Sequence, residues 1–439
     1  MIRVDRQDYK DKSKDEILDD LEKALNELDR VKRELRKYKN SDTPPSAHPF
    51  LKSVVQSCAS KKRGAPVGHP GTNRSWIPDA PLYHIIAKEC PRCYSKDINV
   101  ARIARQQIDN VPKEINPETT TVERDVCECN KCHLKFVARD EQTPLKGRFG
   151  INLMVLVIFL RFIVRGVMRK TAGFLDASFA LKLAPASVQA IISRAAEAGE
   201  EEYDQIKCRI RAAERLHIDE TSFSVLGKNW WVWVFRSDTD KLLVIRHSRG
   251  NNVLEEILGK SYAGIVHCDC WRAYDYLECA MLQRCWAHLL RKSVELKITV
   301  VGRHFHEKLT TLFDEIKSFN AKDPTTEQRA RKRETMTAEL AKITKYYSRY
   351  SDCIGVAKYI NFHIESWFTC VRFDNVEPTN NLAEQAIRET VIVRKIIGAF
   401  RSEKGPRNYE TLASLLATWQ SQQKDIRQEL HRMLTEQLC

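Results

Sequence analysis

The stretch Arg215–Val225 places two acidic residues, Asp219 and Glu220, inside a run that otherwise has the composition of a β-strand. Two further runs rich in β-branched and aromatic residues follow at 229–235 and 242–246, which predicts a meander of three strands. A carboxylate in a central strand is costly to bury unless it is paired or binds a metal ion. We therefore expect Asp219 to have partners elsewhere in the chain.

Two acidic residues farther along are candidate partners of Asp219. Asp269 ends the strand-like run 263–269, and Glu384 lies at the start of a helical pattern. The order strand-Asp, strand-Asp, helix-Glu is typical of metal-dependent nucleases and transposases. In such enzymes two Mg²⁺ (or Mn²⁺) ions activate the attacking oxygen and stabilise the leaving one. The sequence predicts that Asp219 bridges the two ions, with Asp269 and Glu384 holding one each.

Structural alternatives exist for two of these carboxylates. Asp269 precedes a helical segment and fits an N-cap. The spacing Asn381-x-x-Glu384 fits a capping box, in which the Glu side chain bonds the backbone at the helix start. Spacing alone leaves both roles open.

Basic residues are in excess, and the excess favours a polyanionic partner. The 439 residues include 72 Lys and Arg against 58 Asp and Glu, a formal net charge of +14, which favours association with nucleic acid. We predict that the partner is double-stranded DNA. A solvated connector or helix face is the alternative for these charges. The candidate DNA-binding residues are Lys61, Lys62, Arg63, His288, Arg291, Lys292, Arg388, Arg394, Lys395 and Arg401.

Two Cys-x-x-Cys pairs, Cys90/Cys93 and Cys129/Cys132, have the spacing of a tetrahedral zinc site. Two thiolates from each tight turn would bind one structural Zn²⁺, and Cys127 is a spare ligand. Short strand-like runs surround these cysteines, so a zinc-ribbon-like domain is predicted at 82–140. The alternative is a set of unrelated buried cysteines.

The N-terminal region is predicted to mediate self-association. Residues 1–40 are assigned as a coiled coil because apolar residues recur in steps of four and three, which predicts a homo-oligomer; a solvated charged helix is the alternative. The apolar positions are Ile17, Leu21, Ala24, Leu28, Val31 and Leu35. Residues 41–81 contain repeated Pro and Gly with Lys and Arg and are assigned as a flexible basic linker.

Helical patterns flank the predicted strands. Residues 145–211 are assigned as a helical DNA-binding region resembling a helix-turn-helix, whose second helix begins at Pro185 with Ser187, Gln189 and Arg194 outward. Any small helical bundle would give a similar pattern.

Residues 212–405 are assigned to the catalytic domain, with a helical insertion at about 300–355, and residues 406–439 to a C-terminal helix. The longest apolar run, 151–160, is too short to span a bilayer, and the N-terminus lacks a signal-like segment. The sequence therefore predicts a cytoplasmic, nucleoid-associated protein.

The motifs taken together resemble transposases of the insertion-sequence 66 family. The resemblance rests on His217–Thr221, His267–Tyr274, Cys285–Lys292, Asn380–Arg388, Arg394-Lys395 and Gly398–Glu403, with the coiled coil, linker and paired cysteines upstream. It implies a ribonuclease-H-like catalytic domain with an Asp-Asp-Glu triad. It also implies binding of terminal inverted repeats and joining of a freed 3′ hydroxyl to target DNA, with accessory proteins from the same element as possible partners.

Two positions depart from the family pattern. Asp269 is followed by Cys270-Trp271 where Gly-Tyr is usual, and Gln385 replaces an Arg after Glu384. The expected architecture is a multidomain α/β protein. Two other readings remain: a non-catalytic zinc-ribbon DNA-binding regulator derived from a transposase, and a structure-specific nuclease without strand transfer.

Overall fold

The structure is a computed structural model that describes residues 77–79, 81–108 and 115–439, together with Ser13, Glu16, Ile17 and Glu27. Apart from those four residues, the predicted coiled coil lies outside the described residues. So do Lys61, Lys62 and Arg63 of the predicted linker.

A mixed six-stranded sheet forms the centre of the fold, and helices pack around it, which agrees with the predicted α/β class. Strands β3 (Arg215–Val225), β4 (Lys228–Arg236) and β5 (Lys241–Arg246) form the predicted antiparallel meander. On the other side of β3, strands β6 (Ile265–Cys268) and β7 (Met281–Arg284) run parallel to it. The order is β5-β4-β3-β6-β7, and the short strand β8 (Ala399–Phe400) pairs with the end of β3. A separate hairpin, β1 (Val126–Glu128) with β2 (Lys135–Val137), precedes the sheet in the chain.

The turn between β3 and β4 has two residues, Leu226 and Gly227. Both have positive φ, 50° and 76°, and this is the backbone that lets a two-residue hairpin follow the twist of its strands. Gly227 adopts it without steric cost, whereas Leu226 does not. The tight turn fixes the register in which Asp219 lies opposite Val234.

Helices before the sheet pack onto it. They are α1 (Ile151–Ile158, continuing as a π-helical turn to Ile163), α2 (Met168–Phe179), α3 (Pro185–Ala198) and α4 (Glu200–Ala212). Their apolar faces join one hydrophobic cluster with β3, β4, β5 and the two last helices of the chain. Proline at the first position of α3 costs no hydrogen bond.

The predicted outward face of α3 is only partly exposed. Ser187, Gln189 and Arg194 are each half-buried, because α3 packs against α1, α2 and the C-terminal helices. Gln189 donates a hydrogen bond to Ser193, which also accepts one from Asn408. Each of the three side chains keeps part of its surface exposed, so a DNA-reading role for α3 stays a prediction.

Helices between β7 and the last acidic residue form a second cluster. After α5 (Asn251–Leu258), which links β5 to β6, come α6 (Trp286–Val294), α7 (Val300–Asn320), α8 (Thr326–Tyr347), α9 (Ile354–Asn361) and α10 (Thr369–Arg372). A capping box of Thr325 and Gln328 starts α8. At the start of α7, a Cβ on Gly302 would overlap the carbonyl oxygen of Leu296. The predicted helical insertion therefore packs into a cluster that it shares with Ile265 of β6, with α6 and with residues up to Val376.

Three helices complete the chain: α11 (Asn381–Ile397), α12 (Lys404–Ser421) and α13 (Ile426–Leu438). The region 406–439, expected as one helix, contains a break at 422–425, where Gln423 has a positive φ of 57°. Among the described residues, no helix combines the length and the apolar character needed to cross a membrane.

Side chains of α12 cover the outer edge of β5. Glu410, Ser414 and Thr418 lie one helical turn apart and accept hydrogen bonds from the backbone N–H groups of Ile245, Leu243 and Lys241, at 2.8, 2.9 and 3.0 Å. An edge strand otherwise presents such groups to any passing chain. The helix thus terminates the sheet on this side.

Candidate functional site

The two aspartates belong to neighbouring parallel strands: Asp219 lies inside β3, and Asp269 directly follows the end of β6. His217 of β3 is paired with His267 of β6, and their rings stack with centroids 3.8 Å apart. Asp219 and Asp269 each come two residues later in the chain. Besides burial, the charge of Asp269 raises the pKa of Asp219, as expected for carboxylates that lie near each other.

Glu384 reaches the same face from helix α11. Asn380, which is 1% exposed, precedes this helix and ties its start to β3. Its side chain accepts a hydrogen bond from His217 Nδ1 at 3.0 Å and donates one to the carbonyl of Ile218 at 2.7 Å. Its backbone N–H donates to Cys285 Sγ at 3.1 Å. The sequence contains Asn380 within the Asn380–Arg388 motif but does not indicate these contacts with β3.

Glu384 does not take part in a capping box, which was the alternative role for its side chain. The N-cap of α11 is Asn380 rather than Asn381, and no side chain caps this helix. The carboxylate of Glu384 instead accepts a hydrogen bond from the Arg291 guanidinium, with His288 Nδ1 at 3.6 Å from the same Oε1. For Asp269, one oxygen accepts the backbone N–H of Trp271 at 2.7 Å. That bond closes a local turn and does not cap a helix through its side chain.

Asp269 and Glu384 lie near enough to Asp219 for their charges to act on it, although the three carboxylates are not grouped within 4.8 Å of one another. Burial raises the pKa of Asp219 well above its usual range, and the neighbouring charges of Glu220, Asp269 and Glu384 raise it further. Burial also raises the pKa of Asp269, although the N–H of Trp271 opposes the shift. Such shifts mean that ionised forms are unfavourable together. A divalent cation among these oxygens would reverse that penalty.

Glu220, the other half of the acidic pair, is held by protein groups. Its carboxylate accepts hydrogen bonds from Arg249 at 2.9 Å and from the Tyr274 hydroxyl at 2.6 Å. Burial raises the pKa of Glu220 to about 7, with the charge of Asp269 adding to the shift. Arg249 also lies over the rings of Trp231 and Trp271, 4.7 and 4.3 Å from their centroids. Glu220 therefore anchors the wall of the site.

Among the basic residues next to the carboxylates, His288 and Arg291 lie at Glu384. Burial lowers the pKa of His288 to about 4, and the charge of Arg291 adds to the shift, so the imidazole is neutral at pH 7. Lys292 instead lies over the Tyr359 ring, 4.6 Å from its centroid. Cys285 is the N-cap of α6, and the Cys-x-x-His spacing is the sequence signal that places it beside His288.

The remaining predicted DNA contacts divide by exposure. Arg388, Lys395 and Arg401 are exposed on or just after α11. Arg394 is buried, and its guanidinium donates to the Ser222 carbonyl and to Thr221 Oγ1 of β3. This burial argues against a direct DNA contact by Arg394 and makes it a support of the strand that carries Asp219.

The two cysteine turns have matching backbones. In the first, Tyr94 N–H donates to the Cys90 carbonyl at 2.9 Å, and in the second, His133 N–H donates to the Cys129 carbonyl at 2.8 Å. Tyr94 and His133 have φ of 59° and 58°. Backbone N–H groups within each turn lower the pKa of Cys90 and Cys129. Among the described residues, three metal-ligating side chains lie within 4.8 Å of one another at Cys285, His288 and Glu384. The four cysteines are not grouped in this way, so the zinc site stays a prediction.

A comparison with known proteins places this fold in a class. Residues 146–408, more than half of the chain, match the model of a transposase family and span all three carboxylates. The family is described as "Transposase IS66 family", and the chain belongs to it.

Two relatives come from Sinorhizobium fredii. The uncharacterized protein y4qI is 28% identical over 49% of this chain and 46% of its own length. The uncharacterized protein y4hP is 21% identical over 92% of this chain and 78% of its own length. The chain thus aligns with about half of the first relative.

Proposed function

We propose that this protein is a transposase that binds the terminal inverted repeats of an insertion sequence, cleaves at the element ends and joins the 3′ hydroxyl to target DNA. The observation that carries the proposal is that Asp219 and Asp269 each follow by two residues a pair of histidines aligned on adjacent parallel strands, with Glu384 tied to β3 through Asn380. The alternative remains the non-catalytic regulator, which a failure of the three carboxylates to hold a shared metal ion would favour.

The sheet supports a ribonuclease-H-like catalytic core. A long central strand has an antiparallel meander on one side and two parallel strands on the other. In sheets with parallel strands, functional side chains gather beyond the carboxyl ends of those strands. Asp269 occupies a position of this kind, Asp219 lies just beyond the residues of β3 that pair with β6, and a later helix supplies the glutamate.

The donor set fits hard divalent cations. Asp219, Asp269 and Glu384 offer carboxylate oxygens, the ligands that Mg²⁺ and Mn²⁺ take. Two such ions would make the attacking oxygen more nucleophilic and stabilise the leaving one. Asp219, between the other two, would bridge both ions, while Asp269 and Glu384 would each hold one. In addition to burial, the charges of Asp269 and Glu384 raise the pKa of Asp219, and a bound cation would offset this repulsion.

Arg291 serves as the counter-ion of Glu384 when no metal is bound. Its guanidinium bonds the carboxylate, and its side chain remains 36% exposed. When Glu384 turns to a metal ion, Arg291 is free to bind a DNA phosphate, for which a guanidinium has suitable geometry. His288 beside it offers a neutral imidazole to the same region.

DNA is held by surfaces around this site. Exposed Arg388, Lys395 and Arg401 lie on the helix that carries Glu384 or just beyond it. Residues Lys61, Lys62 and Arg63 would add phosphate contacts from the basic linker, and a coiled coil at 1–40 would assemble a homo-oligomer. The matching cysteine turns support a structural Zn²⁺ held by Cys90, Cys93, Cys129 and Cys132, which would stabilise a ribbon that grips DNA.

The test is cleavage and joining of a labelled DNA fragment that carries the element's ends, with purified protein and Mg²⁺. We expect Asp219→Asn and Glu384→Gln to abolish cleavage while DNA binding persists. Glu389→Gln on the exposed side of the same helix is the matched control and should cleave normally. Cleavage that survives in Asp219→Asn would refute the assignment, and cleavage without joining to a target plasmid would indicate a nuclease.

A further inference from the structure

A second metal-ligand set, with softer donors, shares Glu384. Cys285 precedes α6 and His288 lies one turn into it, so the helix brings their side chains together. The candidate ligand atoms of Cys285, His288 and Glu384 lie within 4.8 Å of one another. We propose that these three residues form a site for a borderline-soft divalent cation such as Zn²⁺, and that its occupation withdraws Glu384 from the two aspartates. This regulatory role rests on the proposed function.

The donor set distinguishes this site from a magnesium site. Thiolate and imidazole are ligands that Zn²⁺ accepts and Mg²⁺ does not favour. At Zn–S and Zn–N distances near 2.3 and 2.0 Å, neighbouring ligand atoms in a tetrahedron lie roughly 3.3–3.7 Å apart. His288 Nδ1 and Glu384 Oε1 are already 3.6 Å apart. Three protein ligands leave a fourth position for water.

A positive group already occupies this position. The Arg291 guanidinium bonds Glu384 and lies 3.4 and 3.5 Å from the two ring nitrogens of His288. A metal ion would therefore displace Arg291 and take over its role as counter-ion. The side chains of His288 and Glu384 are 28% and 33% exposed, so an ion can reach them from solvent.

Metal binding changes the protonation of one group. Cys285 loses its thiol proton to solvent, and a sulfur–metal bond forms in its place, so one proton is released for each ion bound. The backbone N–H of Asn380, 3.1 Å from Cys285 Sγ, is placed to stabilise the resulting thiolate. With Glu384 Oε1 bound at this site, the carboxylate can no longer serve freely as a ligand beside Asp219.

Cobalt titration of the full-length protein tests the site without relying on activity. Co²⁺ replaces Zn²⁺ and gives a sulfur-to-cobalt charge-transfer band whose amplitude counts thiolate ligands. We expect Cys285→Ser to bind one equivalent less than wild type, and Cys208→Ser, which removes an exposed thiol on α4, to bind the same amount as wild type. Because Cys285 is buried, His288→Ala provides a second variant that should also lose one equivalent. Unchanged stoichiometry in both folded variants would overturn the proposal.

Cleavage assays then test the regulatory part. At fixed Mg²⁺, added Zn²⁺ should inhibit the wild-type protein, and the Zn²⁺ concentration for half inhibition should rise at least tenfold in Cys285→Ser. Equal inhibition of both proteins would overturn the regulatory role. A protein with no cleavage activity but a normal cobalt signal would contradict the proposed function and leave the metal site standing, so the two failures are distinguishable.

Discussion

Asn380→Ala should loosen the attachment of the Glu384 helix to the central strand. The substitution removes the acceptor of His217 Nδ1 and the donor to the Ile218 carbonyl, at a position that is 1% exposed. Both partners remain buried, and each unsatisfied group costs about 1–3 kcal/mol. We therefore expect the free energy of unfolding to fall by about 2–5 kcal/mol.

Thermal unfolding in metal-free buffer measures this loss. At about 2 °C per kcal/mol for a large chain, the melting temperature should fall by about 4–10 °C. Asn381→Ala is the matched control, since Asn381 is exposed and a surface change typically costs within about 0.5 kcal/mol. Asn380→Ala should also need more Mg²⁺ than wild type for half-maximal cleavage, because Glu384 is less well positioned. Equal melting temperatures for the two variants would refute the reasoning.

Three further predictions use single variants. Folding raises the pKa of Glu220 from 4.5 to about 7. The free energy of unfolding should therefore fall by about 3 kcal/mol as pH rises through that range, because the folded protein resists ionisation of Glu220. From pH 4.5 to pH 8 the melting temperature of Glu220→Gln should fall less than that of wild type, and equal falls would contradict this. Gly302→Ala should destabilise the folded protein by about 1–3 kcal/mol, because the added methyl group would overlap a neighbouring carbonyl. Gly355→Ala places the methyl group in open space within a helix and should stabilise the folded protein by about 0.5–1 kcal/mol. Chemical denaturation measures both changes. Arg394→Ala should lower the melting temperature because it removes buried hydrogen bonds. Lys395→Ala, at an exposed position, should leave the melting temperature unchanged and weaken DNA binding in a salt-dependent way.

The sequence predicted the local elements of the site because their signals are local. Alternation of apolar residues located β3, β4 and β5 to within a residue or two. An aspartate in such a strand is conspicuous, and Asp269 at the end of another strand follows the same logic. The register that sets Asp219 beside Asp269 depends on strand pairing, which periodicity does not encode.

Contacts between distant residues account for what the sequence could not predict. Arg394 has the appearance of a solvated charge, but its partner Ser222 lies 172 residues earlier in the chain. Asn380 has the appearance of a capping residue, but its side chain bonds β3, 162 and 163 residues away. On α3, the residues assigned outward are half-buried rather than fully exposed. In each case burial by a remote element overrides the local preference.

The covering of β5 by α12 has a consequence for synthesis of the chain. Leu243 is translated 171 residues before Ser414, which accepts its N–H. At about 5–20 residues per second, the ribosome leaves this strand without its helix for roughly 10–30 s. Throughout that interval a nascent sheet has an open side, available for pairing with another nascent chain on the same messenger RNA. Slower elongation past the meander would lengthen this period and increase aggregation.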